Sequence, residues 1–107
     1  MNNLLDRSYL ALAHPARRAI VEHLAGGPAT VGEATRALTI SKPAVTKHVR
    51  LLEEAGIVRR SVEGRTHRLR LEPRALEPAS RWLDFHRDLW ERKFDAIERH
   101  LAEEGQT

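Results

Sequence analysis

Ten consecutive residues, Ser41-Lys42-Pro43-Ala44-Val45-Thr46-Lys47-His48-Val49-Arg50, hold two hydroxyls, three permanent cations and an imidazole, and Arg59, Arg60, Arg65, Arg68 and Arg70 follow. Guanidinium and ammonium groups at this density suit a polyanion: they pair with phosphate oxygens or with guanine O6 and N7. The charge is concentrated here. Residues 41–70 carry eight Lys and Arg against three Glu, whereas residues 71–107 carry six against nine carboxylates. A basic segment inside an otherwise balanced chain is the footprint of a nucleic-acid binder, although a merely solvated basic surface looks the same by charge alone. Other chemistry finds little support. No G-x-S-x-G nucleophile turn occurs, Gly26-Gly27 precedes Pro28 rather than Lys-Ser/Thr, and no H-E-x-x-H or EF-hand spacing appears. With no cysteine, thiolate catalysis, zinc fingers and disulfides are excluded. Neither an enzyme nor a cofactor is expected.

Those cations need a scaffold, and 107 residues allow one domain, expected to span 1–107. A composition of 41% hydrophobic and 31% charged residues suits a globular protein. No run nears the ~18 apolar residues of a membrane span. The apolar patch Tyr9–Ala13 follows Asp6-Arg7 and precedes His14-Pro15, a poor secretory signal, so a cytoplasmic protein is expected. So small a domain buries only roughly 60–70% of its unfolded surface, which favours dimerisation.

The apolar spacing predicts a mainly α fold with a small β-hairpin, in the order α-α-α-α-β-β-α. Leu4, Leu5, Tyr9 and Leu12 mark a first helix over about 3–13. A second runs from Pro15 to Ala25, with Ala19, Ile20 and Leu24 inward, and stops at Gly26-Gly27-Pro28. Thr30 caps a short third helix with Glu33 placed for a capping box and Val31, Ala34 and Leu38 inward. Ser41 caps the fourth, Lys42 to Ala55, whose Val45, Val49 and Leu52 form the buried stripe and whose terminator is Gly56. Ile57–Arg60 opens a strand, Glu63-Gly64-Arg65 turns, and Thr66–Leu71 returns with Leu69 and Leu71 inward. After Pro73 and Pro78 a long helix, about Ala79 to Glu104, carries Trp82, Leu83, Phe85, Leu89, Trp90, Phe94, Ile97 and Leu101, more apolar surface than this domain's core requires.

A short helix, a tight turn, an amphipathic helix and a hairpin together make a winged helix-turn-helix. At about 100° per residue, Pro43, Lys47, Arg50 and Glu54 lie opposite Val45, with Thr46 beside them. Lys47 and Arg50 can therefore reach base edges in a major groove. Ser41, Lys42 and the open N–H groups of the helix start suit a phosphate. His48 flanks the buried stripe, with packing or a phosphate contact favoured over base reading. Glu53 and Glu54 should turn from DNA, with salt bridges to Arg17 or Arg18 available. On the hairpin, Arg59, Arg60, Arg65, Thr66 and Arg68 are placed to follow the backbone or enter the minor groove, or else simply to solvate the edge. A winged module that binds protein, or nucleic acid without sequence preference, is the alternative; Lys47 and Arg50 outward favour base reading.

Ala11-Leu12-Ala13-His14-Pro15-Ala16-Arg17-Arg18-Ala19-Ile20 resembles the opening of the ArsR/SmtB family of bacterial transcriptional repressors. Ser41 to Val58 resembles its recognition helix and entry to the wing, and Glu63-Gly64-Arg65-Thr66-His67 its wing. The resemblance covers nearly the whole chain. It implies a homodimeric repressor on a double-stranded operator with dyad symmetry. It also implies a dimer interface made by the first and last helices, here Leu4, Leu5, Tyr9, Trp82, Phe85, Leu89, Trp90, Phe94, Ile97 and Leu101. Metal-sensing members carry cysteines where this chain reads Val31-Gly32-Glu33-Ala34-Thr35-Arg36, so thiolate sensing is not expected. Others bind zinc, nickel or cobalt through Asp and His of the C-terminal helices. Asp84 and His86 fit the start of that pattern, Ile97 stands where a later His belongs, and His100 follows. A metal-independent regulator is the expectation, a His/Asp metal-responsive one the alternative. Trp82, Phe85 and Trp90 could line an effector pocket, although core packing is their commoner role.

Overall fold

The computed structural model describes residues 4–105, and side chains from Leu5. Helix α1 (Leu4–Leu12) is followed by α2 (Pro15–Leu24), a two-residue strand β1 (Ala29–Thr30) and α3 (Val31–Thr35). Helix α4 (Lys42–Glu54), strands β2 (Val58–Glu63) and β3 (Thr66–Leu71), a 3₁₀ turn (Pro73–Leu76) and α5 (Glu77–Gly105) complete the chain. The winged helix-turn-helix expectation holds, with two corrections. The sheet has three antiparallel strands in the order β1-β3-β2, because the chain leaving Gly26-Gly27-Pro28 runs extended and pairs Ala29 with Leu69 and Thr30 with Arg68. Two residues are too few to show alternation. The long helix also begins at Glu77 rather than Ala79, with Pro78 inside its first turn, where no intrahelical N–H is required.

The joint between α1 and α2 is built from the termini of both. His14 Nδ1 accepts the Ala16 N–H at 3.0 Å and caps α2, and Pro15 supplies a preset φ at its first position. Arg17 and Arg18 bend back to the last carbonyls of α1: Arg17 donates to Leu10 and Ala11, and Arg18 to Leu12 at 2.8 Å. Cations are favoured there by the helix dipole as well as by the unpaired carbonyls.

Two capped helices then form the helix-turn-helix. Thr30 accepts the Glu33 N–H at 3.1 Å while its own N–H and hydroxyl donate to the Glu33 carboxylate, a complete capping box. The Thr30 hydroxyl, and then its backbone N–H, hold the Glu33 carboxyl below its ordinary pKa. Helix α4 closes on a Schellman motif: the Gly56 N–H returns to Glu53 and the Ile57 N–H to Leu52, with Gly56 at φ +74°. The same turn buries Leu52 against Ile57. At the wing tip Gly64 takes φ +62° and Arg65 an ordinary φ, the order of a type II′ hairpin.

The core lies where α2, α3 and α4 meet the sheet. Ile20, Leu52, Ile57 and Leu69 are fully buried, with Val49, Val58, Leu24 and Ala34 around them. Each of the Ile, Leu and Val side chains contributes about 1.5–3 kcal/mol by leaving water. Val31, Leu38, Val45 and Leu71 pack at the margin. Helix α5 touches this core only at its start, through Ala79 and the α1 face. Tyr9 meets the Trp82 ring edge-on at 6.0 Å, and the Ser8 hydroxyl donates to the Ala75 carbonyl at 3.2 Å. The rest of α5 projects, stretching the molecule to 73 Å.

Replacing Thr30 with Ala should cost about 1 kcal/mol of stability, read as a lower urea midpoint, while Thr30→Ser should preserve it. Because Glu33 has its pKa lowered from 4.5 by folding, its share of the difference is present above that pH and shrinks as pH falls further.

Candidate nucleic-acid interface

The amphipathicity of α4 decides which of its side chains meet water. Val49 and Leu52 enter the core and Val45 borders it, so Lys42, Pro43, Thr46, Lys47 and Arg50 are exposed along the opposite side. Among the described residues no carboxylate pairs with Lys42, Lys47 or Arg50. Ser41 is the N-cap and accepts the Ala44 N–H at 3.3 Å. Pro43 has no N–H, so the helix start offers an anion chiefly the Lys42 N–H, fewer donors than the sequence suggested. The Thr46 hydroxyl donates to the Lys42 carbonyl at 3.1 Å, leaving its oxygen lone pairs and methyl outward.

His48 departs from the exposed set. It is 8% exposed, and its Nδ1 lies 2.9 Å from Arg17 Nη1. Its ring tilts against His14 with centroids 4.4 Å apart. Burial lowers its pKa below the ordinary 6.5, and the neighbouring His14, Arg17 and Lys47 lower it further. Of the roles the sequence left open, packing, a phosphate contact or base reading, its burial corresponds to packing and not to a DNA contact.

The wing divides its cations into paired and unpaired. Arg60 donates to Glu53 at the end of α4 at 2.6 Å and meets His67 Nδ1 at 3.0 Å, joining recognition helix to hairpin. Arg59 and Arg70 share Glu72, at 3.3 and 3.7 Å. Arg65 at the tip has no carboxylate partner among the described residues, and the exposed Arg68 lies in the field of Glu33. Glu53 thus pairs with Arg60 and not with Arg17 or Arg18, both of which are taken by α1 carbonyls. Arg17 itself is the residue that sequence reasoning passed over. Its spacing to Ile20 and Leu24, three and seven positions, places it on the buried stripe of α2, and that signal was available.

Helix α5 presents Trp82, Leu83, Phe85, Leu89, Trp90, Phe94, Ile97 and Leu101 to solvent, with Phe85 66%, Phe94 64% and Leu101 60% exposed. Leu5 and Tyr9 of α1 are half-buried, and the Leu4 side chain lies outside those described. Asp84 pairs with Arg87, and His100 with Glu104. His86 stacks on Trp82 at 3.9 Å with Nδ1 donating to the Trp82 carbonyl. Among the described residues no three His, Asp or Glu side chains of the chain gather into a metal-sized cluster, and no helix is long and apolar enough to cross a membrane.

An exposed cationic helix on a helix-turn-helix, beside a basic hairpin, defines a winged helix-turn-helix protein of the DNA-binding class. Residues 12–61 match a family model described as a helix-turn-helix domain. The chain is 38% identical over 100 residues to the HTH-type transcriptional regulator Rv2034 of Mycobacterium tuberculosis, covering 94% of this chain and 91% of that protein. It is 29% identical over 83 residues to the transcriptional repressor SdpR of Bacillus subtilis, covering 78% and 88%. A crystal structure of an ArsR family transcriptional regulator superposes with TM-score 0.77 at 34% identity, over 83% of this chain and 98% of that one. The chain belongs to the ArsR family of winged helix-turn-helix transcriptional regulators, which bind double-stranded DNA and are not enzymes.

The Arg60 bridge has a measurable consequence. Arg60→Gln should raise amide hydrogen exchange through Val58–Glu63 several-fold while leaving the Ile20 and Leu52 amides protected. Unchanged exchange in β2 would mean that the bridge does not brace the wing.

Proposed function

We propose that this chain is a homodimeric, sequence-specific repressor whose whole length acts as one winged helix-turn-helix unit on cytoplasmic DNA. The observation that carries it is the outward row of α4: Lys42, Lys47 and Arg50 are exposed on the face opposite the core, with no carboxylate among the described residues paired to them. In the major groove Lys47 and Arg50 reach guanine O6 and N7, each good contact contributing about 1–3 kcal/mol of discrimination. Thr46, its proton committed to Lys42, offers a base amino group its oxygen or a thymine its methyl. Ser41, Lys42 and Pro43 line the phosphate side of the helix start. Arg65 leads the wing along the backbone or into the minor groove, with Thr66 and Arg68 behind it. Arg59 and Arg60 hold the wing through Glu72 and Glu53 and follow phosphates only secondarily.

The second copy docks on the apolar band of α5 together with α1. A contiguous run of large exposed apolar side chains in so small a chain is the kind of surface that association covers. Two recognition helices then enter successive major grooves ~34 Å apart on a palindrome, and bound protein blocks transcription. SdpR is a repressor by name, and its similarity supports the same sense of regulation here.

Footprinting of the promoter upstream of the chain's own coding sequence tests the proposal. A protected palindrome is expected, unchanged by chelator or added zinc; protection that appears or vanishes with zinc would instead favour the His/Asp metal-responsive reading. Lys47→Ala should weaken binding and flatten the preference among operator variants. Arg65→Ala should weaken all duplexes about equally and reduce the salt slope by roughly one unit. Equal discrimination in Lys47→Ala and wild type would move Lys47 off the bases. Trp90→Ala should leave the fold intact but weaken the dimer by roughly 2 kcal/mol, and sedimentation of an undiminished dimer would contradict the α5 interface.

A further inference from the structure

The guanidinium of Arg17, carried by α2, joins two other elements, α1 and α4. Its Nε donates to the Ala11 carbonyl at 2.7 Å and its Nη2 to the Leu10 carbonyl at 3.1 Å, both at the end of α1, while Nη1 meets His48 Nδ1 of α4 at 2.9 Å. Arginine can only donate, so the imidazole must accept through Nδ1 and carry its proton on Nε2. His14, tilted against the same ring, also uses Nδ1 as an acceptor, for the Ala16 N–H. The contact is dry, since Arg17 and His48 are each 8% exposed.

We propose that Arg17 is a positioning residue for DNA reading, holding the recognition helix to the end of α1 through neutral His48, so that protonating His48 releases α4 and lowers operator discrimination. The proposal rests on the base-reading role assigned to α4. His48 follows Lys47 directly and precedes Arg50 by two residues, so the angle of its anchor sets the angle of both. The other end of the anchor is α1, which packs on α5 through Tyr9 and Trp82. The strut therefore ties the pose of the reading face to the helices that set the spacing between half-sites.

Protonation at Nδ1 would place N–H against N–H and a second cation beside the guanidinium. The charged and titratable groups facing His48 are Arg17 from α2, His14 from the α1–α2 joint and Lys47 from its own helix, none of which stabilises an imidazolium. The sign follows. The pKa of His48 is lowered by folding, so the contribution of the strut is complete above 6.5 and is lost as pH falls through the lowered value.

The test uses the full chain and a duplex enriched from a random-sequence library by the wild-type protein at about pH 8. Affinity for this duplex is divided by affinity for a scrambled one, which cancels any sequence-independent change in attraction to the duplex as pH falls. Between about pH 8 and an acidic pH at which the imidazole ¹⁵N spectra show His48 protonated, the wild-type ratio should fall about tenfold. His48→Asn, whose side-chain oxygen replaces the Nδ1 acceptor without titrating, should hold its ratio within about threefold over the same range. Imidazole ¹⁵N spectra of the wild type should show His48 as the Nε2–H tautomer at neutral pH, which reads the strut without DNA. A parallel fall in both proteins, a flat wild type or a proton on Nδ1 would each overturn the proposal. Loss of helical circular dichroism in step with binding would also overturn it, since the strut would then support the fold rather than aim α4. Failure of the library to enrich any sequence would strike the base-reading assignment itself, and the positioning role with it.

Discussion

A helix that reads a groove must be held along one side and left bare along the other, and the burial of Val49 and Leu52 against Ile20, Ile57 and Leu69 imposes that division on α4. Apolar burial is non-directional, so this packing secures the depth of the helix more firmly than its rotation. Directional groups supply the rest. Ser41 defines its first turn, the Schellman turn at Gly56 defines its last, and the Arg17–His48 hydrogen bond holds its flank. With both ends and one side restrained, Lys47 and Arg50 have only the solvent side left to occupy.

The distribution of carboxylates carries the same division into the electrostatics. The chain places Glu53 and Glu72 where they engage Arg60, Arg59 and Arg70, while Lys42, Lys47, Arg50 and Arg65 have no such partners among the described residues. Exposed ion pairs contribute little stability, about 0–1 kcal/mol each. Their effect here is selective: they reduce positive potential at the root of the wing, where two guanidiniums share one carboxylate, and leave it undiminished on the outward row of α4 and the hairpin tip.

The elements that stand on periodicity and punctuation were legible in the sequence. The capped starts at Thr30 and Ser41, the Gly56 stop, the Gly64 turn and the Val45-Val49-Leu52 stripe all appear at the expected residues, because each depends on neighbours within one or two turns. What escaped depends on distant partners. Strand β1 is two residues long and exists only because Leu69 and Arg68 lie beside it. Glu53 could have paired with any of several arginines, and the choice of Arg60 followed from the hairpin folding over the end of α4. Of the candidate contact residues, the exposed ones on α4 were readable from helical angle. The withdrawal of His48 depended on Arg17, a charged residue on a buried stripe that apolar pattern-matching skips.

Helix α5 presents the converse of α4. Its first residues are anchored by Ala79, Tyr9 and the 3₁₀ turn, while its aromatic band faces solvent over several turns. A helix of 29 residues is ~43 Å long at 1.5 Å per residue, far beyond what the small core beside it can cover. Apolar length of that kind adds little to the stability of the chain taken alone. Because α1 lies between this band and the Arg17 guanidinium, the proposed docking of a second copy and the proposed aim of α4 would share one structural member. Packing that displaced α1 would move the two carbonyls that orient Arg17, and with them the side chain that grips the recognition helix.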